Sequence, residues 1–221
     1  MTAHMETMGG HGTSGEPKTR RDFLYLAAGA MGALGAALAA WPFIDSMEPA
    51  ADTLAAGGPI DVDLAQLKPG QQILVRWRSQ PIFVMRRTPE ALATLRDPAV
   101  TSQLRDPNSE VHQQGAYAQN WHRSIKPEYL ILVGICTHLG CIPTYTPKVD
   151  GPGAGLPATW PGGYFCHCHG SRYDLAGRVF QGVPAPYNLP VPPYKFTAET
   201  TVSVGENPFG SSFDFGDIVQ I

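Results

Sequence analysis

The chain has 221 residues, a formal net charge of −3 and a charged fraction of only 16%. That is enough length for one domain with a real core plus an appendage, and the balance excludes the basic footprint of a general nucleic-acid binder. The 24 glycines and 21 prolines point away from a helical bundle and toward a loop-rich β fold. The 4 cysteines are too few for a disulfide scaffold of this size, and their grouping in two short boxes marks a site.

Residues 1–19 are polar and Gly-rich and read as a disordered tail. The next segment, "TRRDFLYLAAGAMGALGAALAAWPFI", carries no charge over the 22 residues from Phe23 to Ile44. As a helix this run extends roughly 33 Å, enough to cross a bilayer core. Lys18, Arg20 and Arg21 precede it, so the positive-inside rule puts the N-terminus in the cytoplasm and everything after residue 45 outside. Arg20 and Arg21, followed by Asp22, Phe23 and Leu24, resemble a twin-arginine export signal, by which a protein crosses the membrane already folded. Ala37-Leu38-Ala39 offers a cleavage site for a signal peptide. The length of the run, with Trp41 where an interfacial anchor belongs, favours a retained anchor over 20–45. Residues 46–59 are small and flexible and read as a tether, with Ala50 to Gly58 expected to bend.

The soluble domain is assigned to residues 60–221. "IDVDLAQL" and "QQILVRWRSQPIFVMRRT" alternate as strands do, with "KPG" and "SQP" as turns. Thr88, Pro89 and Glu90 read as an N-cap, a first-turn proline and a first-turn acid, opening a short helix through Leu95. Residues 98–125 read as an irregular, partly helical excursion. "YLILVGI" (129–135) is predicted to be a buried strand leading into the first cysteine box. "TTVSV" and "FDFGDIVQI" are predicted to close the chain as two more strands. The whole points to an antiparallel β domain.

The first box holds Cys136, His138 and Cys141, and the second holds Cys166, His167, Cys168 and His169. Cys136 and His138 from one loop, with Cys166 and His169 from the other, can complete a four-ligand shell. Cys141 and Cys168 are then left over, one per loop, and a disulfide between them is chemically allowed outside the cytoplasm. A Cys₂His₂ shell serves zinc as well as a mixed-ligand 2Fe–2S centre, and spacing alone leaves both open.

"CTHLGC" and "CHCHGSRYD" resemble the paired boxes of the Rieske iron–sulfur proteins, specifically the Rieske subunit of the bacterial cytochrome bc complex (ubiquinol–cytochrome c oxidoreductase). The likeness extends over the N-terminal anchor, the tether, "NWHRSIKPEYLILVGICTHLGC" and "GRVFQGVPAPYNLPVPPYKF". It implies a mostly β fold: an antiparallel β-sandwich with a smaller cluster-binding subdomain at about 134–190, behind one transmembrane helix. It implies one 2Fe–2S cluster, with Cys136 and Cys166 on one iron, His138 and His169 on the other, and a Cys141–Cys168 disulfide. Hydroxyls of Ser171 and Tyr173 are expected to donate to cluster sulfurs. His169, with His138 beside it, is expected to contact quinol and couple protons. Leu139, Gly140 and Pro184 are expected at the docking rim, and "GVPAPYNLP" as a proline-rich cover. The family usually has proline where this chain has His167, which reads as an exposed bystander. The implied role is an electron-transfer subunit, inactive alone, passing electrons from ubiquinol to a c-type cytochrome in a dimeric inner-membrane complex with cytochrome b. A Rieske carrier or the small subunit of another exported oxidase is the alternative reading.

Overall fold

The computed structural model describes residues 19–48, 57–147, 156–157 and 159–219. The chain divides into two compact units, residues 1–51 and 52–221. In the first, Thr19 begins helix α1 (Arg20–Asp45) by accepting a hydrogen bond from the Asp22 N–H, while Asp22 reaches back to the Thr19 N–H at 2.8 Å. This reciprocal cap satisfies two of the free N–H groups at the helix start. No residue of α1 is buried, and its most apolar stretch has a mean hydropathy of 1.8. It is long and apolar enough to cross a membrane.

The second unit is built from three antiparallel sheets of three strands each. The first contains β1 (Ile60–Asp63), β8 (Tyr194–Phe196) and β9 (Thr201–Val204), with β9 central. The second contains β2 (Gln72–Trp77), β3 (Gln80–Arg86) and β4 (Tyr129–Val133), with β3 central. The third contains β5 (Thr144–Thr146), β6 (Gly163–Cys166) and β7 (Ser171–Tyr173), with β6 central. Between β3 and β4 run two short helices, α2 (Pro89–Thr94) and α3 (Pro98–Thr101), and a 3₁₀ turn, Ala116–Ala118. The mostly β fold and the irregular excursion are therefore as the sequence indicates, and Thr88 caps α2 through the Ala91 N–H.

Several boundaries differ for local reasons. The strand read through "IDVDLAQL" ends at Asp63, whose carboxylate accepts from the Ala65 N–H at 2.8 Å and turns the chain, although Leu64 and Leu67 stay buried. The β2–β3 turn is Arg78–Ser79 rather than "SQP": both have positive φ (49° and 61°), and Gln80 and Pro81 belong to β3. Two consecutive left-handed residues match the twist of a tight hairpin. "FDFGDIVQI" does not form the predicted strand. Asp214 accepts from the Gly216 N–H at 2.8 Å and starts a 3₁₀ turn at Phe215–Asp217, while Phe215 packs edge-on against Trp77. Of the tether, residues 49–56 lie outside the described set. Its end is fixed, because the Gly57 and Gly58 carbonyls accept from Arg78 Nε and Trp77 Nε1 at 3.2 and 3.1 Å.

Strand β4 explains the placement of the site. All five of its residues are buried, as expected for a β-branched and leucine run covered on both faces. It pairs with β3 from Tyr129↔Arg86 to Val133↔Ile82, so its C-terminal end delivers the first box at a fixed height. The rings of Phe83 on β3 and Tyr164 on β6 stack at 5.3 Å, joining the central sheet to the sheet that carries the second box.

Candidate metal centre

The two boxes form two turns of the same design. In the first, the Gly140 N–H donates to the Cys136 carbonyl at 3.0 Å, and in the second the Gly170 N–H donates to the Cys166 carbonyl at 2.9 Å. Both glycines sit in the left-handed region (φ 81° and 79°), where an L side chain is strained even though nothing stands within 4 Å of a would-be Cβ. The second turn closes the β6–β7 hairpin, in which Cys166 pairs with Ser171. Cys136 N–H also donates to the Cys141 carbonyl at 2.7 Å, closing the first loop on itself.

Cys141 and Cys168 are joined by a disulfide with a Cα–Cα distance of 6.7 Å. It staples the two turns together, as the resemblance implies. The sulfurs of Cys141, Cys166 and Cys168 lie within 4.8 Å of one another, but two of them are committed to this bond. Cys136 and Cys166 remain as free cysteines, 1% and 2% exposed. The rings of His138 and His169 meet edge to face at 4.8 Å, one half-buried and the other exposed. The two box turns thus carry two buried free thiols and two imidazoles in contact with each other, one half-buried and one exposed.

The floor of the site is hydroxylic. Tyr173 Oη lies 3.2 Å from Cys136 Sγ, and it accepts from the Thr137 N–H at 3.2 Å. Thr137 Oγ1 donates to the Tyr187 carbonyl at 2.7 Å. The tyrosine proton is therefore left for the cysteine sulfur or for Thr137 Oγ1, which is 3.3 Å away. A thiolate is the stronger acceptor of the two. Burial pushes the Tyr173 hydroxyl well above its ordinary pKa, and the Cys136 sulfur adds to the rise, so it stays a donor. Ser171 Oγ accepts from the Ala185 N–H at 3.1 Å and keeps its own proton to give. Burial likewise raises the Cys166 thiol, and the Cys136 sulfur adds to this, while the backbone N–H groups of Cys168 and His169 act in the opposite sense. Those N–H groups favour a thiolate at Cys166, the form a metal ligand takes.

The rim is apolar. Leu139 and Ile142 are 70% and 58% exposed, Gly140 is exposed between them, and Pro184 is exposed between buried Val183 and Ala185. Asn188, near the end of the proline-rich loop, is 1% exposed and donates to the Asp106 carbonyl, which ties the loop to the excursion. His167 is exposed, its ring edge-on to Phe165 at 4.7 Å. Two contributors were not singled out by sequence. Thr137 is 0% exposed and organises the floor through both its N–H and its hydroxyl. The Ala185 N–H fixes Ser171, and a backbone donor leaves no mark in residue type.

This donor set suits a mixed-ligand iron–sulfur cluster: two shielded thiols with sulfur-directed donors, and two imidazoles at the edge. Residues 101–194 match the Rieske [2Fe-2S] domain family. The site therefore defines a Rieske protein, whose cofactor is a 2Fe–2S cluster. Residues 10–50 match a second family, described as "Ubiquitinol-cytochrome C reductase Fe-S subunit TAT signal". The chain is 49% identical over 195 residues to the ubiquinol–cytochrome c reductase iron–sulfur subunit of Allochromatium vinosum, covering 87% of this chain and 91% of that one. It is 48% identical over 195 residues to that of Rhodospirillum rubrum (87% and 95% covered), and 44% over 194 residues to that of Bradyrhizobium diazoefficiens (87% and 98%). The chain belongs to the family of ubiquinol–cytochrome c reductase iron–sulfur subunits.

Proposed function

We infer that this chain is the electron-transfer subunit of a quinol–cytochrome c oxidoreductase, a cytochrome bc complex in which it has no turnover of its own. The observation that carries the reading is the division of the cysteines: the disulfide takes Cys141 and Cys168, and the two free, buried thiols are left beside two surface imidazoles. In this reading Cys136 and Cys166 ligate one iron, and His138 and His169 ligate the other. The cluster held there supplies a one-electron acceptor whose potential lies above that of all-cysteine clusters, within about −150 to +300 mV.

The protein's own groups do the rest. Tyr173 and Ser171 direct hydroxyl protons toward the sulfurs and favour added negative charge. The outward nitrogen of His169 accepts the hydroxyl hydrogen of a quinol and takes its proton, with His138 at the same edge. On reduction the imidazoles hold that proton more firmly, so electron and proton uptake are coupled. Leu139, Gly140 and Pro184 form the rim that enters the quinol pocket of cytochrome b, and the proline-rich loop is a stiff cover.

Helix α1 anchors the chain in the plasma membrane with the N-terminus in the cytoplasm and the cluster domain on the periplasmic side. The tether lets the domain move between cytochrome b and a c-type cytochrome. Of the segment Ala50 to Gly58 expected to bend, Gly57 and Gly58 are held by Arg78 and Trp77.

The test is a low-temperature EPR redox titration in native membranes at several pH values. A Rieske-type signal whose midpoint falls as pH rises, with a line shape that responds to quinone, is the expected result. A low, pH-independent midpoint would replace quinol oxidation with a ferredoxin-like carrier, and no signal would remove the cluster.

A further inference from the structure

Directly after Tyr173 the chain makes a tight turn from Asp174 to Arg178, and guanidinium groups occupy the carbonyls on its outer side. Arg87 Nη1 donates to the carbonyls of Leu175 and His122 at 3.1 and 2.7 Å, with Nε on Pro127 O at 2.8 Å and Nη2 on Ser124 Oγ at 2.6 Å. Arg123 Nη1 donates to Ala176 O and Leu189 O at 3.1 and 2.8 Å, and Nη2 to Gln114 Oε1 at 2.7 Å. Gly177 permits this approach, because a Cβ there would come within 3.2 Å of Arg123 Nη1. Arg178, also in the turn, pairs with Asp174 at 2.7 Å.

Arg87, Arg123, Arg178 and Asp174 are each at most 2% exposed. Among the described residues the ion pairs are Arg178–Asp174 and Lys195–Glu206, so Arg87 and Arg123 have only neutral acceptors. Burial pushes Arg87 down to about 10 and Arg123 down to about 9, which leaves both charged at neutral pH. His122, beside Arg87, is pushed down to about 4 by burial and then by that charge, and is neutral. Asp174 acts at a distance on both charges and Asp106 on Arg123, but neither carboxylate pairs with them, so the turn is backed by two buried cations without an ion-pair partner. Arg123 also has a positive φ of 50° and a buried Nε with no partner. Burying an unpaired charge is costly, and neutral donors could make the same carbonyl ties.

The layer is wired to the floor of the metal centre. Its turn follows directly on the tyrosine that touches Cys136, and Leu189 lies in the loop whose Ala185 and Tyr187 hold Ser171 and Thr137.

We propose that Arg87 and Arg123 form a buried cationic layer that raises the reduction potential of the cluster, an assignment that rests on the function inferred above. Reduction adds one negative charge at the metal centre, and salt screens buried charges weakly, so a nearby positive layer favours the reduced state. The carbonyl ties orient the guanidinium groups without cancelling their charge. Both arginines are positioning residues that act through this field.

The experiment is an EPR-monitored redox titration of the full-length subunit assembled in membranes, for the wild type and three variants. Arg123→Gln is expected to lower the midpoint with unchanged g-values, and Arg123→Lys, which keeps the charge, to stay near the wild type. Asp174→Asn removes the one buried carboxylate among the described residues and is expected to raise the midpoint, a sign that a loosened scaffold does not produce. Equal midpoints for the Gln and Lys variants, or a fall in Asp174→Asn, would overturn the proposal. If Arg123→Gln fails to assemble, the sign of the Asp174→Asn shift decides alone. A wild type without a Rieske-type signal would instead overturn the functional reading itself.

Discussion

On the floor of the metal centre Cys136, Thr137, Cys166, Ser171 and Tyr173 are each at most 2% exposed, while on its rim Leu139 is 70% exposed and His169 and Ile142 stand in solvent. The same two loops supply both surfaces. The floor is rich in hydrogen bonds and rests on β4, β6 and β7; the rim leaves Leu139 and Ile142 largely exposed, with the two imidazoles edge to face beside them. With the ligands proposed above, Cys136 and Cys166 would hold a cluster from the shielded side and His138 and His169 from the more open one. The floor should therefore govern assembly and potential, and the rim should govern exchange with partners.

The sharpest way to break this division is Cys166→Ala, with His169→Ala beside it. Each removes a proposed ligand, and each is expected to abolish the visible absorption and the EPR signal. The β sheets, whose core extends from Val62 to Val204, are expected to keep their circular dichroism. A cluster that persisted in either variant would overturn the ligand assignment. Cys141→Ser comes next. The disulfide closes a sequence separation of 27 residues, for which chain entropy alone gives about 3.5 kcal/mol. Thermal unfolding should show that loss, and the cluster should become labile because the two turns are no longer stapled. An unaltered unfolding temperature would mean that the turns are held by their own hydrogen bonds.

Tyr173→Phe tests the floor without moving a ligand. It removes the hydroxyl on Cys136 Sγ and leaves the buried Thr137 N–H without its acceptor. The expected stability loss is about 1–3 kcal/mol, from the stranded N–H. The midpoint should fall on the order of 40 mV, if the lost bond favours the reduced state by about 1 kcal/mol. A midpoint equal to wild type would assign the tyrosine proton to Thr137 Oγ1 instead of the sulfur.

The sequence marked the candidate ligands and rim because all four cysteines, with three of the seven histidines beside them, sit in two boxes. It could not divide four cysteines into ligands and staple by spacing; that came from family resemblance, and the disulfide in the structure agrees. The sheet carrying the second box went unread, because β5 and β7 are three residues each and show no period. "FDFGDIVQI" failed for the opposite reason. Its aromatic alternation is real, but Phe213 and Phe215 pack singly against His112 and Trp77, and Asp214 closes a local turn. The buried arginines left no trace either. Arg87 closes "VMRRT" as an edge residue would, and Arg123 lies in a segment without periodicity, so only tertiary packing shows that both are interior.

His122 offers a milder probe of the ground beneath the floor. Its ring bonds Ser124 Oγ at 2.8 Å, and burial followed by the Arg87 charge holds its pKa down at about 4. The unfolded chain takes up this proton near the ordinary histidine value of about 6.5, well before the folded chain does. As pH falls from about 6.5 toward 4, protonation therefore favours the unfolded state, and stability above that window is unaffected by this group. Thermal unfolding across the window should show the decline, and His122→Asn should flatten part of it. An identical pH profile in the variant would assign the acid sensitivity to other groups.

Leu139→Ala carries the smallest structural effect and the clearest contrast with the floor. Its side chain is already 70% exposed, so truncation should change stability by no more than about 0.5 kcal/mol. The cluster midpoint should not move, because no donor to a sulfur is altered. Quinol-dependent turnover of the assembled complex should nevertheless fall if Leu139, exposed between His138 and Gly140, is the docking anchor proposed above. Stability, potential and turnover thus separate at one residue. Unchanged turnover would make Leu139 an ordinary surface leucine, and a shifted midpoint would mean that the rim, too, shapes the cluster's surroundings.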